Sequence, residues 1–181
     1  MNKLLIHAHP SATWFNAALC DEIMEKASAA GHQVKIIDLY REYPQPFLTF
    51  HPDSPIPYIQ EINSLLRRAD ELIFIFPIRW IDCPAILKNF FDVNFNKGLW
   101  YTFTPTGKRV WLFQWKKARI IATAGWPGFF YPLIRFVSRT IGKFWYCGIK
   151  HLSTSVLSHT VKTTDAKRQA FMHKVAKICS K

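Results

Sequence analysis

Short apolar runs recur along the chain, and segments with a helical pattern of apolar and polar residues separate them. The run Leu72-Ile-Phe-Ile-Phe-Pro77 is apolar at every position, which is typical of a central parallel strand covered on both faces. The other runs are also short and are followed by proline, glycine or polar residues. We predict strands at residues 3–7, 33–38, 72–77, 120–124 and 152–157.

The segments between these runs carry apolar residues at helical spacing. Leu19, Ile23 and Ala27 follow this spacing, and the pattern stops at Gly31, a common residue at the carboxyl end of a helix. Proline is favoured in the first turn of a helix, so Pro84 is expected to begin another one. Predicted helices cover residues 17–30, 59–69, 84–93, 131–146 and 166–178.

Strands and helices alternate five times, which predicts one α/β domain over residues 1–181. Right-handed crossovers between parallel strands place helices on both faces of such a sheet. The segment 43–57 holds five prolines and is expected to be irregular. Ligands bind beyond the carboxyl ends of the strands in these folds, so we expect the functional residues in the loops after the first, third and fourth strands.

Composition narrows the class of protein and of partner. The chain is 49% hydrophobic and 15% aromatic with 20% charged residues, as expected for a globular protein with a large core. Its net charge of +12 is uneven: residues 1–80 carry 7 basic and 9 acidic side chains, whereas residues 81–181 carry 17 and 3. We expect the second half to attract anions such as phosphorylated cofactors or an anionic membrane. No nucleic-acid recognition motif accompanies this charge, so we predict no nucleic-acid partner.

Targeting and cysteine patterns indicate the cytoplasm. No segment reaches the run of about 20 apolar residues that spans a bilayer, and residues 1–5 lead into a strand rather than a signal peptide. The four cysteines form no C-x-x-C pair, so we expect reduced thiols in or near the core. We predict a cytoplasmic protein, with peripheral contact to the inner face of the membrane as an alternative.

The three loops named above carry the residues suited to chemistry. Residues 9–17 supply hydroxyls, an amide and free backbone N–H groups at the start of a helix, a combination that suits a phosphate. Asn16 fits equally well as an ordinary helix N-cap. Residues 76–85 bring an indole and a guanidinium to the end of a buried strand, where a flat ring can stack. The small residues at 123–125 allow a ligand close to the backbone.

A spaced pattern runs from the third strand into the next helix through Phe76, Pro77, Trp80, Pro84, Ala85, Lys88 and Asp92. It resembles the signature Phe-Pro-x-x-Trp-x-x-x-Pro-Ala-x-x-Lys-x-x-x-Asp of the NAD(P)H:quinone oxidoreductase family, which includes mammalian quinone reductase and ancillary subunits of potassium efflux systems. The first loop resembles the family's His-Pro and Ser-Phe-Asn elements, and residues 123–126 stand where the family has Thr-Thr-Gly-Gly. The similarity extends over nearly the whole chain.

The resemblance implies a flavodoxin-like fold, a doubly wound five-stranded parallel sheet in the order 2-1-3-4-5. It also implies that the first loop holds the phosphate of a flavin and that the second and third loops lie along its ring. Tyr131 would be catalytic, with a hydrogen bond near the flavin carbonyl that gains negative charge on reduction. The implied cofactor-binding residues are His9, Thr13, Phe15, Asn16, Ala17, Pro77, Ile78, Arg79, Trp80, Ile81, Thr123, Ala124 and Gly125.

The reaction implied by the resemblance is hydride transfer from NADPH or NADH to flavin N5, and from there to a quinone or a similar two-electron acceptor. FMN is the expected flavin because the short chain shows no extra loop for an adenosine, and FAD is the alternative. Replacing Arg79 with a neutral residue is expected to lower the flavin's reduction potential. The family also implies a homodimer. The alternative function is a flavin-binding regulatory subunit of a membrane transporter with little turnover.

Two positions depart from the family pattern. Trp126 replaces the second glycine of Thr-Thr-Gly-Gly, at a place where the nicotinamide needs room. Val137 stands where mammalian quinone reductase has a histidine. We therefore expect this chain to handle its substrates differently from that enzyme.

Two further patterns carry ligating or charged residues. His7 and His9 fall on one face of the first strand, but no third ligand is evident and we predict no metal site. A basic stripe recurs every four residues on the predicted helix 131–146, formed by Arg135, Arg139 and Lys143. A solvated helix face is the default interpretation. Contact of the stripe with an anionic membrane or an acidic partner, assisted by Phe129 and Phe130, is the alternative.

Overall fold

The structure is a computed structural model that describes residues 1–42, 57–80, 82–113, 115–127 and 136–181, the side chains of residues 57, 58 and 136–139 excepted. Within these residues the chain forms seven strands and five helices. The strands are β1 (Asn2–His7), β2 (Gln33–Asp38), β3 (Glu71–Pro77), β4 (Tyr101–Phe103), β5 (Arg109–Trp111), β6 (Lys117–Thr123) and β7 (Lys150–Leu157). The helices are α1 (Phe15–Ala29), α2 (Pro57–Arg68), α3 (Ala85–Asn94), α4 (Phe136–Tyr146) and α5 (Asp165–Cys179).

Five of the strands form one parallel sheet in the order β2-β1-β3-β6-β7. Because β6 and β7 are the fourth and fifth strands of this sheet along the chain, the predicted order 2-1-3-4-5 is confirmed. β3 lies at the centre, and all seven of its residues are buried, as its continuous apolar run predicted. The assignment of residues 1–181 to one domain stays a prediction.

Side chains alternate across β1, so the two faces of the sheet carry separate cores. Leu4 and Ile6 pack with α2, α3 and α4, whereas Leu5 packs with α1 and α5. The first core is rich in aromatic rings, and the ring centroids of Phe74 and Phe144 lie 5.2 Å apart. Helices covering both faces leave the ends of the strands as the places where loops meet.

A short antiparallel hairpin, β4–β5, was not predicted from the sequence. Its register pairs Tyr101 with Trp111, and Gly107 adopts a φ of 81° in the turn. Strands of three residues are too short to display the period of two that identifies a strand. The hairpin packs on the end of α4, where Trp111 Nε1 donates a hydrogen bond to Tyr146 O at 3.1 Å.

Two helix starts need separate mention. α1 begins at Phe15, with Trp14 as its N-cap residue and no side-chain hydrogen bond at the cap. Asn16 therefore lies inside the helix, and its interpretation as an N-cap was wrong. The predicted helix 131–146 is observed from Phe136 onward as α4. Residues 131–135, and residues 43–56 of the segment expected to be irregular, lie outside the described residues.

The four cysteines are free and buried, which confirms the expectation of reduced thiols in the core. Burial raises the pKa of the Cys147 and Cys179 thiols to about 12, so neither is a reactive thiolate at neutral pH. Among the helices formed by the described residues, none is long and apolar enough to cross a membrane.

Candidate functional site

A cleft of about 240 Å³ opens at the carboxyl ends of β1, β3 and β6, where the three predicted loops meet. The loops converge because these strands are neighbours in a parallel sheet, and pairing continues past the strand ends: Ile78 N donates to Thr123 O at 2.8 Å. Nine of the thirteen predicted cofactor-binding residues line this cleft, namely His9, Phe15, Asn16, Pro77, Ile78, Arg79, Thr123, Ala124 and Gly125.

The other predicted residues lie elsewhere. Thr13 lines an adjoining cavity of about 480 Å³. Ala17 is in the first turn of α1, where its N–H bonds to Trp14 O at 2.8 Å, and it does not line the cleft. Trp80 projects into solvent with 95% of its surface exposed. Ile81 and Tyr131 lie outside the described residues. The cofactor role of every one of these residues stays a prediction.

A fourth loop, after β7, forms a wall of the cleft that the sequence interpretation missed. Thr160 and Val161 line the cleft together with Trp14. Thr160 N donates to Ala124 O at 3.0 Å, so this loop is bonded to the loop after β6. The signal was available, because the rule that ligands bind beyond the carboxyl ends of strands applies equally to β7.

His9 presents a hydrogen-bond donor at the cleft. Its Nδ1 lies 3.0 Å from Ser11 N and 3.3 Å from Ser11 O. We assign the nearer contact as a hydrogen bond donated by Ser11 N, which places the proton of the neutral ring on Nε2. Burial lowers the pKa of His9, and the backbone contact with Ser11 opposes this shift. The neighbouring charges of His7, Arg79 and Arg41 lower the pKa further. We therefore expect His9 to be neutral at pH 7 with an Nε2–H group to donate.

An ion-paired group lies behind His9 and holds the first loop to the end of β2. His7 Nδ1 lies 3.1 Å from Asp38 Oδ2, and Arg41 Nη1 donates to Asp38 Oδ1 and to His9 O, both at 3.3 Å. His7 is thus engaged by a carboxylate at one nitrogen. Across the described part of the chain, no group of three or more His, Cys, Asp or Glu side chains is arranged to hold a metal.

Asn16 offers a second donor at the cleft. Its side chain is only 3% exposed, and Nδ2 has no hydrogen-bond partner. A buried donor without a partner costs about 1–3 kcal/mol, which a ligand oxygen would offset. The start of α1 also has neither a side-chain cap nor an acidic residue in its first turn, so its positive end is uncompensated. These features suit an anionic ligand group.

The loop after β3 makes a tight turn at the mouth of the cleft. Arg79 N donates to Asp82 O at 2.8 Å, and Asp82 N donates to Arg79 O at 2.9 Å. Trp80, within this turn, has a φ of 47°, a left-handed conformation that costs about 1–2 kcal/mol for a residue with a side chain. Such strain is often concentrated at ligand sites.

The opposite wall of the cleft provides room. A Cβ atom added to Gly125 would meet nothing within 4 Å, so the space beside its backbone is open. None of the described residues that line the cleft is acidic, and Arg79 adds a positive charge. The arrangement is therefore able to bind a flat ligand that carries a phosphate, with its anionic group near α1 and its ring between the loops after β3 and β6.

Curated relatives of the chain carry oxidoreductase or transporter-subunit names. It is 33% identical over 106 residues to an uncharacterized NAD(P)H oxidoreductase, YcaK, of Escherichia coli, covering 54% of each chain. It is 30% identical over 153 residues to NAD(P)H dehydrogenase [quinone] 1 of Cavia porcellus, covering 72% of this chain and 55% of the relative. It is 30% identical over 124 residues to the glutathione-regulated potassium-efflux system ancillary protein KefG of Salmonella gallinarum, covering 68% and 58%. The matches thus span little more than half the length of these relatives.

Solved structures match the chain along almost all of its length. Smu.1420 from Streptococcus mutans is 31% identical with a TM-score of 0.88, and the match covers 99% of both chains. An NAD(P)H:quinone oxidoreductase from Methanothermobacter marburgensis is 26% identical with a TM-score of 0.85, covering 99% of this chain and 98% of the other. The resemblance predicted from the loop motifs is confirmed by these relatives. The chain therefore belongs to the flavodoxin-like fold family, whose sequence profile matches residues 1–181.

Proposed function

We propose that this chain is a flavin-dependent NAD(P)H oxidoreductase that passes a hydride to a quinone or a similar two-electron acceptor, with FMN in the cleft. The observation that carries this proposal is the convergence of nine predicted residues from three loops on one cleft that has an unpaired donor and no acidic side chain among its described lining. Relatives named as NAD(P)H oxidoreductase and NAD(P)H dehydrogenase [quinone] support the reaction class.

The first loop is proposed to hold the phosphate side of the flavin. The uncompensated amino end of α1 attracts an anion, and the Nε2–H of His9 and the Nδ2 of Asn16 supply directed hydrogen bonds. Arg41 lies behind His9 and does not reach the ligand in this proposal; its hydrogen bond to His9 O helps to fix the loop. These residues bind and orient the ligand and do not themselves react.

The loops after β3 and β6 are proposed to enclose the ring. Flavins supply hydride chemistry at N5, and the protein contributes orientation and charge. Pro77, Ile78 and Arg79 line one side of the cleft, and residues 123–125 line the other with little side-chain bulk. A guanidinium at Arg79 would favour negative charge on a ring beside it. Trp126 follows Gly125 in the chain and is half exposed, and we propose that its indole limits the approach of donor and acceptor.

Spectroscopy and turnover of the purified full-length chain test this proposal. We expect a flavin absorbance spectrum, FMN by mass spectrometry of the released cofactor, and reduction of menadione that depends on NADH or NADPH. Arg79→Met should lower the flavin's reduction potential, whereas Arg68→Met, an exposed arginine at the other end of the sheet, should not. A protein that binds no flavin when FMN or FAD is supplied would contradict the proposal.

A regulatory subunit of a membrane transporter is the second candidate function, and the similarity to KefG favours it. It uses the same flavin cleft but predicts little turnover. Flavin binding without menadione reduction would therefore support the subunit and reject the enzyme. The homodimer and the identity of the natural acceptor also remain proposals, and sedimentation analysis of the purified chain would test the former.

A further inference from the structure

The end of the sheet opposite the cleft presents a basic surface with exposed indoles. We call this surface the lower face. Its residues lie at the carboxyl ends of α2 and α4, or at or just before the start of β6 and β7, namely Arg67, Arg68, Trp115, Lys117, Trp145 and Lys150. Residues that precede parallel strands meet at one end of the sheet, just as the residues that follow them meet at the other. The lower face and the cleft therefore lie at opposite ends of the same strands.

Contacts through Lys116 and Phe113 join the members of the lower face. Lys116 Nζ donates to Arg67 O at 2.8 Å, and Lys150 N donates to Lys116 O at 2.9 Å. The guanidinium of Arg67 lies 5.9 Å from the ring centre of Phe113, which is itself 5.6 Å from the ring of Trp115. Three separate segments of the chain thus build one continuous patch.

The hairpin β4–β5 links Trp145 to this patch. The guanidinium of Arg109 lies 5.2 Å from the ring centre of Trp145 and 5.4 Å from that of Trp111. Trp111 is the last residue of β5, and Phe113 and Trp115 follow it in the chain. A series of cation–ring and ring–ring contacts, joined by the chain from Trp111 to Phe113, therefore connects the two exposed indoles.

The charge of the lower face is strongly positive. Residues 93–164 contain eleven lysines and arginines and no acidic residue. Asp70 and Glu71 lie at this end of the sheet. Glu71 is buried between Lys3 and Arg119, and the single charge of Asp70, which accepts from Asn2 N at 2.7 Å, is outnumbered by the basic residues of the lower face. The exposed charges of Arg67, Arg68 and Lys150 are therefore available to an anionic partner.

Exposed tryptophans accompany this charge. The surfaces of Trp115 and Trp145 are 63% and 66% exposed, and Val110 and Leu112 are also exposed nearby. Indole rings favour the interface between lipid headgroups and acyl chains, where the ring is buried and its N–H stays hydrated. Basic residues near a surface of anionic lipid add attraction. Charge alone would suit many anions, whereas indoles among basic residues suit a lipid surface.

We propose that the lower face docks on a bilayer that contains anionic phospholipid, with Trp115 and Trp145 entering the headgroup layer. Docking in this orientation points the cleft away from the bilayer. Cofactor binding and turnover in the cleft are therefore independent of membrane binding. The site is distinct from the basic stripe at Arg135 and Arg139, whose side chains lie outside the described residues.

Vesicle sedimentation with the full chain tests the proposal. We expect binding to vesicles of phosphatidylcholine mixed with phosphatidylglycerol, little binding to pure phosphatidylcholine, and a steep loss of binding as salt is raised. Each basic residue near an anionic surface contributes about a fivefold gain in affinity, so Arg68→Glu with Lys150→Glu should weaken binding by at least about 25-fold. Trp115→Ser with Trp145→Ser should weaken it about tenfold or more.

A matched variant separates the lower face from net charge. Lys167→Glu with Lys174→Glu makes the same charge change at exposed positions of α5, on the other layer of the fold. It should change binding by less than about twofold, because charges far from the bilayer are screened. Far-UV circular dichroism should be equal in all variants, which verifies that each is folded.

Three results would overturn the proposal. The first is equal binding to neutral and anionic vesicles, or binding to neither. The second is an equal loss of binding in the α5 variant. The third is conversion of a dimer to a monomer by the tryptophan variant in analytical ultracentrifugation, since the lower face would then be an interface between copies of the chain. None of these results depends on whether the cleft turns over NAD(P)H.

Discussion

The two ends of the central sheet use polar residues in opposite ways. At the lower end, Lys3 Nζ donates to Glu71 Oε2 at 2.9 Å and to Cys179 O at 2.6 Å, and Arg119 bonds to the other carboxylate oxygen of Glu71. At the cleft end, Asn16 Nδ2 is buried without a partner, and Trp80 is held in a left-handed conformation. The strands of the sheet pair their buried charges with one another at the lower end, and the first loop leaves the Asn16 donor open at the cleft end.

This difference separates stability from function along one set of strands. Buried charges are tolerated where partners surround them, and removal of one partner is then strongly destabilising. Unpaired donors and backbone strain lower stability, and they are found where a ligand supplies the missing contacts. Substitutions of the buried ion-paired residues at the lower end should therefore change the free energy of unfolding, whereas substitutions at the cleft should change ligand affinity more than stability.

The largest expected effect is at Glu71. Glu71→Gln removes the carboxylate between Lys3 and Arg119 and should lower the free energy of unfolding by about 3–5 kcal/mol, because the buried ammonium of Lys3 loses its counter-charge. Urea denaturation of the flavin-free protein measures this loss. Glu61→Gln, the same change at an exposed position of α2, should cost less than about 0.5 kcal/mol. Equal losses in the two variants would contradict the proposed contrast between the ends.

The second largest loss in the free energy of unfolding is expected at Gly148, between α4 and β7. Its φ is 76°, and an added Cβ would lie 2.6 Å from Trp111 Cγ, so Gly148→Ala should cost about 2–4 kcal/mol from backbone strain plus overlap. Gly107→Ala has a similar φ of 81° and open space, so it should cost only about 1–2 kcal/mol. Thermal unfolding of both variants isolates the contribution of the Trp111 contact. Equal decreases in the midpoint of thermal unfolding in the two variants would show that the Trp111 contact contributes nothing to the loss.

A smaller effect with a different signature is expected at Asn16. Asn16→Ala should weaken FMN binding about tenfold by removing one hydrogen bond, equal to about 1.4 kcal/mol. The free energy of unfolding of the flavin-free protein should change by less than about 1 kcal/mol, because an unsatisfied donor is removed. Asn63→Ala removes a half-buried asparagine whose Oδ1 atom is buried and unpaired, on α2 away from the cleft, and should leave FMN affinity unchanged. Titration of flavin-free protein with FMN distinguishes the two.

The smallest effect is the pH dependence contributed by His9. Its pKa in the folded protein lies below the ordinary histidine value of 6.5, so the unfolded chain binds more protons just below that pH. The stability it contributes is full above pH 6.5 and is lost as the pH falls through the folded-state pKa. One proton limits this slope to about 1.4 kcal/mol per pH unit. His9→Gln should flatten the fall in the free energy of unfolding between neutral pH and pH 5, and an unchanged slope would refute this assignment.

Much of the fold and part of the site were predictable from local patterns. The strands at Gln33–Asp38 and Glu71–Pro77 were predicted to within one residue, because apolar runs between turn residues mark buried strands. The hairpin β4–β5 was missed because its strands are too short to show a period. Asn16 was placed in the correct loop, but its position inside α1 depends on where the helix starts, which neighbouring packing decides.

The sequence by itself determined the order of strands and helices, the cleft end of the sheet and three of the loops that form it. The elements follow from the periodicity of apolar residues, which is visible within a few residues of sequence. The position of the cleft follows from the rule that ligands bind beyond the carboxyl ends of parallel strands, which needs only the order of the elements. Only the tertiary structure decided that Thr160 stands beside Ala124, that Glu71 joins Lys3 to Arg119, and that Asn16 keeps an unpaired donor. Contacts between residues far apart in the chain depend on register and packing, and no local pattern of residues carries that information.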